Sequence, residues 1–231
     1  MGKFNVIKIG GSALKSASDL ERIARVVELY DHSVVIVLSA FYGVTDQLDR
    51  VFNNPENIYQ EGEKMIKQLK EMKSKIINQA FEYSDENDKM KLKHKLNNRF
   101  DKLDKCFLAA HCLGEVPVFI KNDILSYGES LSSLIVSAFL QSKGIDIREY
   151  LPEEIPLKTD GVFGNASIDC ETTAVSLREK LNGHSAVIPG FYGISDKGRK
   201  TLLGRGGSDY SAACIAYCLK AESVDIWKDV N

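Results

Sequence analysis

Apolar positions in the first forty residues switch between the spacing of a strand and that of a helix. Residues 4–9 form a short apolar stretch, and residues 34–38 form an unbroken apolar run of the kind found in strands that are covered on both faces. Between them, apolar residues recur at helical spacing at Leu20, Ile23, Ala24 and Val27. This order predicts a β-α-β unit with parallel strands. We therefore expect a three-layer α/β/α sandwich with a mainly parallel central sheet.

The pattern changes after about residue 53. Two long, highly charged segments carry apolar residues at helical spacing, and a polar stretch at residues 84–88 is typical of a turn between them. We expect a helical hairpin, residues 53–115, inserted in the α/β domain. It could be a lid or a dimer surface, but a structural cap is the favoured interpretation.

Strands and helices alternate again in the second half of the chain. The pattern predicts a helix that begins at Ser126, strands at residues 146–150, 185–188 and 223–227, hairpins at 158–168 and 193–201, and helices at 172–181 and 212–219. No linker or repeat interrupts this order, so we expect one domain.

Composition and charge restrict the choice of partners. Hydrophobic residues make up 44% of the 231 residues, and 30 basic against 32 acidic side chains give a net charge of −2. The protein therefore has no net positive charge that would attract nucleic acid or an anionic membrane, and we expect neither as a partner. The N-terminus lacks the apolar core of a signal peptide, which favours a cytoplasmic protein.

Cysteine and histidine spacing gives no metal motif. The five cysteines match neither a disulfide framework nor a zinc pattern, and the four histidines have no ligand spacing. We expect buried free thiols and no metal held by protein side chains alone.

A glycine-rich loop, Gly204–Ala213, contains one fixed cation, Arg205, and one carboxylate, Asp209, and leads into an alanine-rich helix. Glycines allow the backbone to approach a ligand closely, Ser208 could cap the helix, and the first N–H groups would face an anion. An anion site at a helix N-terminus is one interpretation. A tight turn with a capped helix is the other.

A second glycine loop follows the first strand. Lys8 stands near the end of that strand, and Gly10, Gly11 and Ser12 come at its carboxyl edge, where open parallel sheets bind ligands. A polyphosphate would suit this arrangement, although the spacing matches neither the dinucleotide fingerprint nor the Walker A motif. A lysine that caps a strand is the alternative.

The order of six segments resembles aspartokinases of the amino acid kinase superfamily across the whole chain. These segments are Lys8–Ser12, Leu38–Asp46, Ser126–Glu129, Pro189–Gly193, Gly204–Ala213 and Val224–Val230. The resemblance implies transfer of the ATP γ-phosphoryl group to the side-chain carboxylate of L-aspartate, the first step of aspartate-family amino acid biosynthesis. It implies ATP as co-substrate, Mg²⁺ that arrives with ATP, and a homodimer.

The resemblance also implies roles for individual residues. Catalysis would fall to Lys8 and Asp209. The nucleotide would be bound by Lys8, Gly10, Gly11, Ser12, Lys228 and Asp229. Aspartate would be bound by Ser39, Thr45, Glu129, Arg205, Gly206, Gly207 and Ser208. Taken singly, the hydroxyls could instead be turn or helix caps and the acids could be first-turn residues favoured by the helix dipole.

The chain departs from the family at several positions and at its end. Members usually have phenylalanine, threonine, serine and valine where this chain has Ile9, Ser12, Ala13 and Leu14, and threonine where it has Lys228, which puts the nucleotide contact at Lys228 in question. Aspartokinases also continue into the rest of the nucleotide-binding lobe and usually into ACT regulatory domains. We therefore expect residues 1–231 to be a catalytic domain that is incomplete at its nucleotide-binding end, without an ACT domain, and with weak binding of ATP. Two alternative functions remain. The chain could be another acyl-phosphate-forming or nucleotide kinase, or it could be a non-catalytic amino-acid-binding module.

Overall fold

The computed structural model describes residues 3–82 and 84–228. Its strands are β1 (Phe4–Ile9), β2 (Ser33–Leu38), β3 (Ile147–Glu149), β4 (Lys158–Thr159), β5 (Ser185–Pro189), β6 (Tyr192–Ser195), β7 (Lys200–Leu202) and β8 (Ser223–Trp227). Its α-helices are α1 (Ala17–Val27), α2 (Val44–Arg50), α3 (Ile58–Ala80), α4 (Glu86–Leu113), α5 (Val118–Ser142), α6 (Cys170–Leu181) and α7 (Gly207–Leu219).

The main sheet has five parallel strands in the order β3-β5-β2-β1-β8. In the register of β1, Ile9 lies opposite Leu38 on one side and Trp227 on the other, and Leu38 lies opposite Pro189. The carboxyl ends of four strands therefore meet at one edge of the sheet. That is where ligands bind in open parallel sheets.

Side chains alternate along β1 between two cores. Ile7 and Ile9 face a large core that is shared with helices α1, α3, α4 and α5, whereas Phe4 and Val6 face a smaller core with α6 and α7. Helices thus cover both faces of the sheet, which confirms the predicted three-layer α/β/α architecture. Lys8 lies two residues after Val6 in the same strand, so its side chain is on the same face of the sheet, the one covered by α7.

The two charged segments form the long antiparallel helices α3 and α4, as the periodicity predicts. Their apolar residues belong to the same core as α1 and α5, so the hairpin is part of the main helical layer. Gly62 on α3 lies against the ring of Phe107 on α4, where an added Cβ would come within 2.4 Å of a ring carbon. That the hairpin is an insertion relative to related domains stays a prediction.

Helix α5 does not begin at Ser126, so that prediction was wrong. The helix begins at Val118, directly after Pro117, and Ser126 lies in its interior. Its hydroxyl donates to the Asp123 carbonyl one turn earlier, so a serine that resembled an N-cap bonds within the helix instead.

The predicted hairpin at 158–168 is reduced to one antiparallel bridge between Thr159 and Ile168. Strand β4 pairs in parallel with β6, in a second, three-stranded sheet of order β4-β6-β7. Gly161 and Gly164 both have positive φ and turn the intervening loop away from extended pairing. The second hairpin, β6-β7, is present and antiparallel as predicted.

The cysteines are free, as expected, but they are not all buried. Cys214 and Cys218 are buried, Cys106 and Cys170 are partly buried, and Cys112 is exposed near the end of α4. Within residues 3–82 and 84–228, no helix combines the length and apolarity needed to span a bilayer.

We predict that Gly62→Ala destabilises the protein by about 1–3 kcal/mol, because the new methyl group overlaps the Phe107 ring. At an unhindered helical position the same change would be stabilising. Denaturant unfolding measures the effect, with the exposed Gln68→Ala on the same helix as control. A Gly62→Ala protein as stable as the wild type would show that the two helices are not packed so closely.

Candidate functional site

A cleft of about 350 Å³ opens at the carboxyl edge of β1 and β2. The loops after both strands form one side of it, and the first turn of α7 and the middle of α5 form the other. Its lining residues are Lys8, Gly11, Ser12, Ser39, Ala40, Phe41, Tyr42, Gly43, Thr45, Asp46, Glu129, Phe191, Gly206, Gly207, Ser208 and Asp209. Most of the residues predicted from the sequence therefore lie around one cavity.

Lys8, Asp209 and Lys228 form a charged cluster in this cleft. The Lys8 Nζ atom lies 2.7 Å from one carboxylate oxygen of Asp209, and the Lys228 Nζ atom donates to the other at 3.0 Å. Lys8 is buried, with 6% of its side chain exposed. Burial alone would raise the pKa of Asp209, but the two lysines outweigh it and hold that pKa below its usual value. The cluster carries one net positive charge, which suits an anionic ligand.

The first glycine loop leaves β1 as a short 3₁₀ turn, Gly11–Ala13. A Cβ on Gly11 would lie 2.9 Å from the Ala40 carbonyl oxygen, so only glycine allows the loops after β1 and β2 to approach this closely. The Gly10 N–H donates to the Trp227 carbonyl at 2.9 Å and holds the loop beside β8. Gly10 thus lies next to the cleft, but its N–H already has an acceptor inside the protein.

The second glycine loop forms the N-terminus of α7. Gly206 occupies the N-cap position with φ of +75°, and Ser208 falls within the first turn, so the prediction that Ser208 caps the helix was wrong. The left-handed backbone at Gly206 makes glycine the suitable capping residue. Arg205 is exposed and is not among the residues that line the cleft.

Glu129 projects from α5 into the cleft and is 4% exposed. Its carboxyl group accepts a hydrogen bond from the Ala40 backbone N–H, and its Oε2 atom has no partner among the described residues. Burial raises the pKa of Glu129 to about 8, although the Ala40 N–H and the charge of Lys8 oppose the shift. Without a ligand, this side chain is therefore mostly protonated near neutral pH.

Gly128 explains how Glu129 reaches the cleft. A Cβ on Gly128 would lie 3.0 Å from that of Ala40 and 3.4 Å from the Thr45 hydroxyl. The missing side chain therefore lets α5 pack directly against the loop that carries Ser39 and Thr45. The hydroxyl of Ser132, one turn further along α5, accepts the Phe41 N–H at 3.0 Å and fixes the same loop.

Several lining residues had no assigned role in the sequence analysis, although they lie within the motifs it used. Phe41, Tyr42 and Asp46 lie in the loop after β2 and at the start of α2, and Phe191 follows β5. Phe191 has φ of +74°, which is strained for a bulky side chain. Its N–H donates to the Ser211 hydroxyl and its ring contacts Gly207. This backbone strain could not be read from the sequence.

The predicted residues therefore fall into three groups. Ten of them line the cleft: Lys8, Gly11, Ser12, Ser39, Thr45, Glu129, Gly206, Gly207, Ser208 and Asp209. Gly10 and Lys228 lie beside the cleft: the Gly10 N–H donates to the Trp227 carbonyl, and the Lys228 amine donates to Asp209. Arg205 is exposed outside the lining, and Asp229 lies outside the described residues.

A helix N-terminus, two lysines and two glycine loops lie together at the carboxyl edge of the parallel sheet of this α/β protein, an arrangement that suits a phosphate-bearing ligand. The Oε2 atom of Glu129, which has no partner among the described residues, lies in the same cleft. The sequence matches the model of the amino acid kinase family over residues 3–231. The chain belongs to that family.

Its relatives are aspartokinases. It is 30% identical to lysine-sensitive aspartokinase 3 of Escherichia coli over 240 aligned residues, which cover 100% of this chain and 50% of that protein. It is 28% identical to chloroplastic aspartokinase 1 of Arabidopsis thaliana, with 98% of this chain and 40% of the relative covered. The chain thus spans about half the length of the curated relatives it matches, or less.

Solved structures agree with the sequence comparison. E. coli aspartokinase III in complex with aspartate and ADP, in its R-state, superposes with a TM-score of 0.84 at 26% identity, covering 99% of this chain and 49% of that one. The same enzyme with lysine and aspartate, in its T-state, gives a TM-score of 0.82. The predicted fold class is confirmed by both neighbours.

We predict that Glu129→Gln changes how stability depends on pH. Between the usual glutamate pKa of 4.5 and about 8, the folded protein holds a proton on Glu129 that the unfolded chain has lost. Stability should therefore fall as pH rises through this window, and the fall should be absent in the variant. By pH 8 we expect a difference on the order of a few kcal/mol.

Urea unfolding between pH 5 and 8 measures this difference. The exposed Glu179→Gln on α6 is the matched control and should keep the pH dependence of the wild type. Parallel curves for wild type and Glu129→Gln would mean that Glu129 titrates in its usual range.

Proposed function

We propose that this chain carries the site of an aspartate kinase, which transfers the γ-phosphoryl group of MgATP to the side-chain carboxylate of L-aspartate. The observation that carries the proposal is the placement of Glu129 in one cleft with the Lys8–Asp209 pair. A group that attracts an ammonium and a group that attracts phosphate then lie in the same small cavity. The relatives named above, one of them with aspartate and ADP bound, support this pair of substrates.

The nucleotide phosphates would be bound by Lys8, by the loop at Gly11 and Ser12, and by Lys228. Gly10 supports this loop rather than offering its own N–H, since that group is bonded to Trp227. Mg²⁺ enters with ATP as part of the substrate. Among the described residues there is no group of three or more histidine, cysteine or acidic side chains that could hold a metal.

Aspartate would occupy the side of the cleft between α5 and the loop after β2. Its ammonium would pair with Glu129, and the hydroxyls of Ser39 and Thr45 would bind a carboxylate. Gly206 and Ser208 would contribute N–H groups from the start of α7, and Gly207, whose N–H bonds to the Gly204 carbonyl, would shape the turn between them. Arg205 would complete the site as a two-pronged clamp on the other carboxylate, which lysine could not replace.

The chemistry follows from the charge of the substrate. A carboxylate is already ionised at neutral pH, so it needs no general base to attack phosphorus. The obstacle is repulsion between two anions, which Lys8 and the oriented N–H groups would offset while they align an in-line transfer. Asp209 holds the Lys8 ammonium in place. The carboxylate oxygen bonds to the γ-phosphorus as the bond to ADP breaks, giving 4-phospho-L-aspartate.

The resemblance further predicts a cytoplasmic homodimer and a place at the start of aspartate-family amino acid biosynthesis. A catalytic domain over residues 1–231 and weak binding of ATP by this chain alone also stay predictions. Calorimetry with MgATP measures the latter directly.

The proposed reaction is tested under single-turnover conditions, which detect weak catalysis. The protein is mixed in excess over MgATP with aspartate and hydroxylamine, which displaces phosphate from the acyl phosphate to give aspartyl hydroxamate; the hydroxamate is measured by its coloured iron complex, and ADP release is measured for every acceptor. We expect hydroxamate and ADP with aspartate, and little acceptor-dependent ADP with glutamate, N-acetylglutamate or UMP. Preference for another acceptor, or no acceptor-dependent product while both substrates bind, would contradict the proposal.

Lys8→Met should reduce the single-turnover rate by about 100-fold or more, because the variant removes the cation next to the transferred group. Lys3→Met is the control, since Lys3 lies just before the same strand and pairs with the surface residue Glu222. Circular dichroism checks that both variants fold. Equal rates for the two variants would exclude the role of Lys8.

Binding of aspartate should release about one proton at pH 6.5, because the ligand ammonium favours the ionised form of a Glu129 whose pKa is about 8. Titration calorimetry in buffers of different ionisation enthalpy gives this number. The exposed Glu179→Gln should release the same proton, whereas Glu129→Gln should release almost none. Binding without proton release in the wild type would place the ammonium elsewhere.

A further inference from the structure

A second cleft, of about 230 Å³, lies between helices α3 and α4, away from the candidate site. Three lysines line it, Lys70 and Lys73 from α3 and Lys93 from α4, and none of its lining residues is acidic. Ser74 and Asn97 add polar groups at its exposed rim. Two exposed lysines and a buried amine around a small cleft without acidic residues favour an anion between them.

Lys73 is the unusual member of this set. It is 1% exposed, and its Nζ atom has no hydrogen-bond partner among the described residues. The ammonium lies 3.4 Å from the centre of the Phe41 ring, which satisfies one side of it by a cation–π contact. An ammonium has three N–H donors, and a buried donor without an acceptor is costly. Burial accordingly lowers the pKa of Lys73 well below its usual value.

The two other lysines are positioned at the surface. Lys70 and Lys93 are exposed, and the Lys70 Nζ atom lies 5.5 Å from the centre of the Phe100 ring. They can therefore attract an anion from solvent, while Lys73 forms part of the inner wall, with its Nζ atom buried beside Phe41. The size of the cleft is below the range of about 300–1,000 Å³ that is usual for drug-sized ligands, so a nucleotide does not fit.

We propose that this cleft binds a small oxyanion, such as inorganic phosphate or a short carboxylate, with Lys73 as the buried anchor and Lys70 and Lys93 at the mouth. The anion supplies the acceptor that the Lys73 amine lacks and keeps it charged. Phe41 separates this site from the candidate active site, because its ring contacts Lys73 and it also lines the first cleft. The second site stands on its own geometry and does not require the proposed kinase activity.

The test must separate this cleft from the candidate active site, which also attracts phosphate. Calorimetric titrations with inorganic phosphate and with acetate are therefore performed in a Lys8→Met background. Within it, Lys70→Ala/Lys93→Ala should weaken binding of the preferred anion by about tenfold. The matched control is Lys67→Ala/Lys105→Ala, which removes two exposed lysines from the same helices outside the cleft and should change affinity by less than about twofold.

Lys73→Met in the Lys8→Met background should abolish the remaining anion binding. If this variant does not fold, Lys70→Ala/Lys93→Ala still tests the proposal. Crystals soaked in selenate locate the anion directly by anomalous scattering, with a peak expected within hydrogen-bond distance of the Lys73 Nζ atom. Tighter binding of phosphate or of acetate identifies which oxyanion the site prefers. Binding of neither anion, equal losses in the two double variants, or a soaked cleft without a peak would overturn the proposal.

Discussion

The ion pair between Lys8 and Asp209 is the constraint around which the site is arranged. Lys8, on the interior strand β1 of a parallel sheet, is buried, and its charge needs a partner, which it finds at the first turn of the helix that covers the same face. The pair fixes β1 relative to α7, and Lys228 after β8 binds the same carboxylate. Glycines at positions 11, 128 and 207 let the segments around the cleft pack closely, Gly11 and Gly128 against the Ala40 loop and Gly207 against Phe191.

Three buried ionisable groups near the cleft differ in how their charge is balanced. Lys8 has a carboxylate partner, whereas the Oε2 atom of Glu129 and the amine of Lys73 have none among the described residues. A buried polar group without a partner is destabilising, and such groups are candidates for ligand contacts. Both groups lie beside the loop after β2, Glu129 at the Ala40 N–H and Lys73 at the Phe41 ring, and each is the group on which one of the two proposed sites depends.

The sequence predicted the layers well because a short unbroken run rich in β-branched residues, such as Val34–Leu38, is typical of a strand that is covered on both faces. It also placed most of the cleft, since the carboxyl ends of parallel strands share one edge. It failed where local patterns compete: Ser126 resembles a helix cap but lies in the middle of α5. Lys73 looked like one more charged helical residue, because only the packing of α3 against the loop after β2 shows that it is buried.

The order of strands has a consequence for how the protein forms. Strand β1 is the first to be synthesised, yet its neighbour β8 comes from the other end of the described chain. The complete cluster of Lys8, Asp209 and Lys228 therefore cannot form during synthesis until nearly all of this segment has left the ribosome. Pairing of β1 with β8, which are far apart in the sequence, is expected to be slow. Ligand capture by this cleft would therefore report that the two ends of the described segment have already come together.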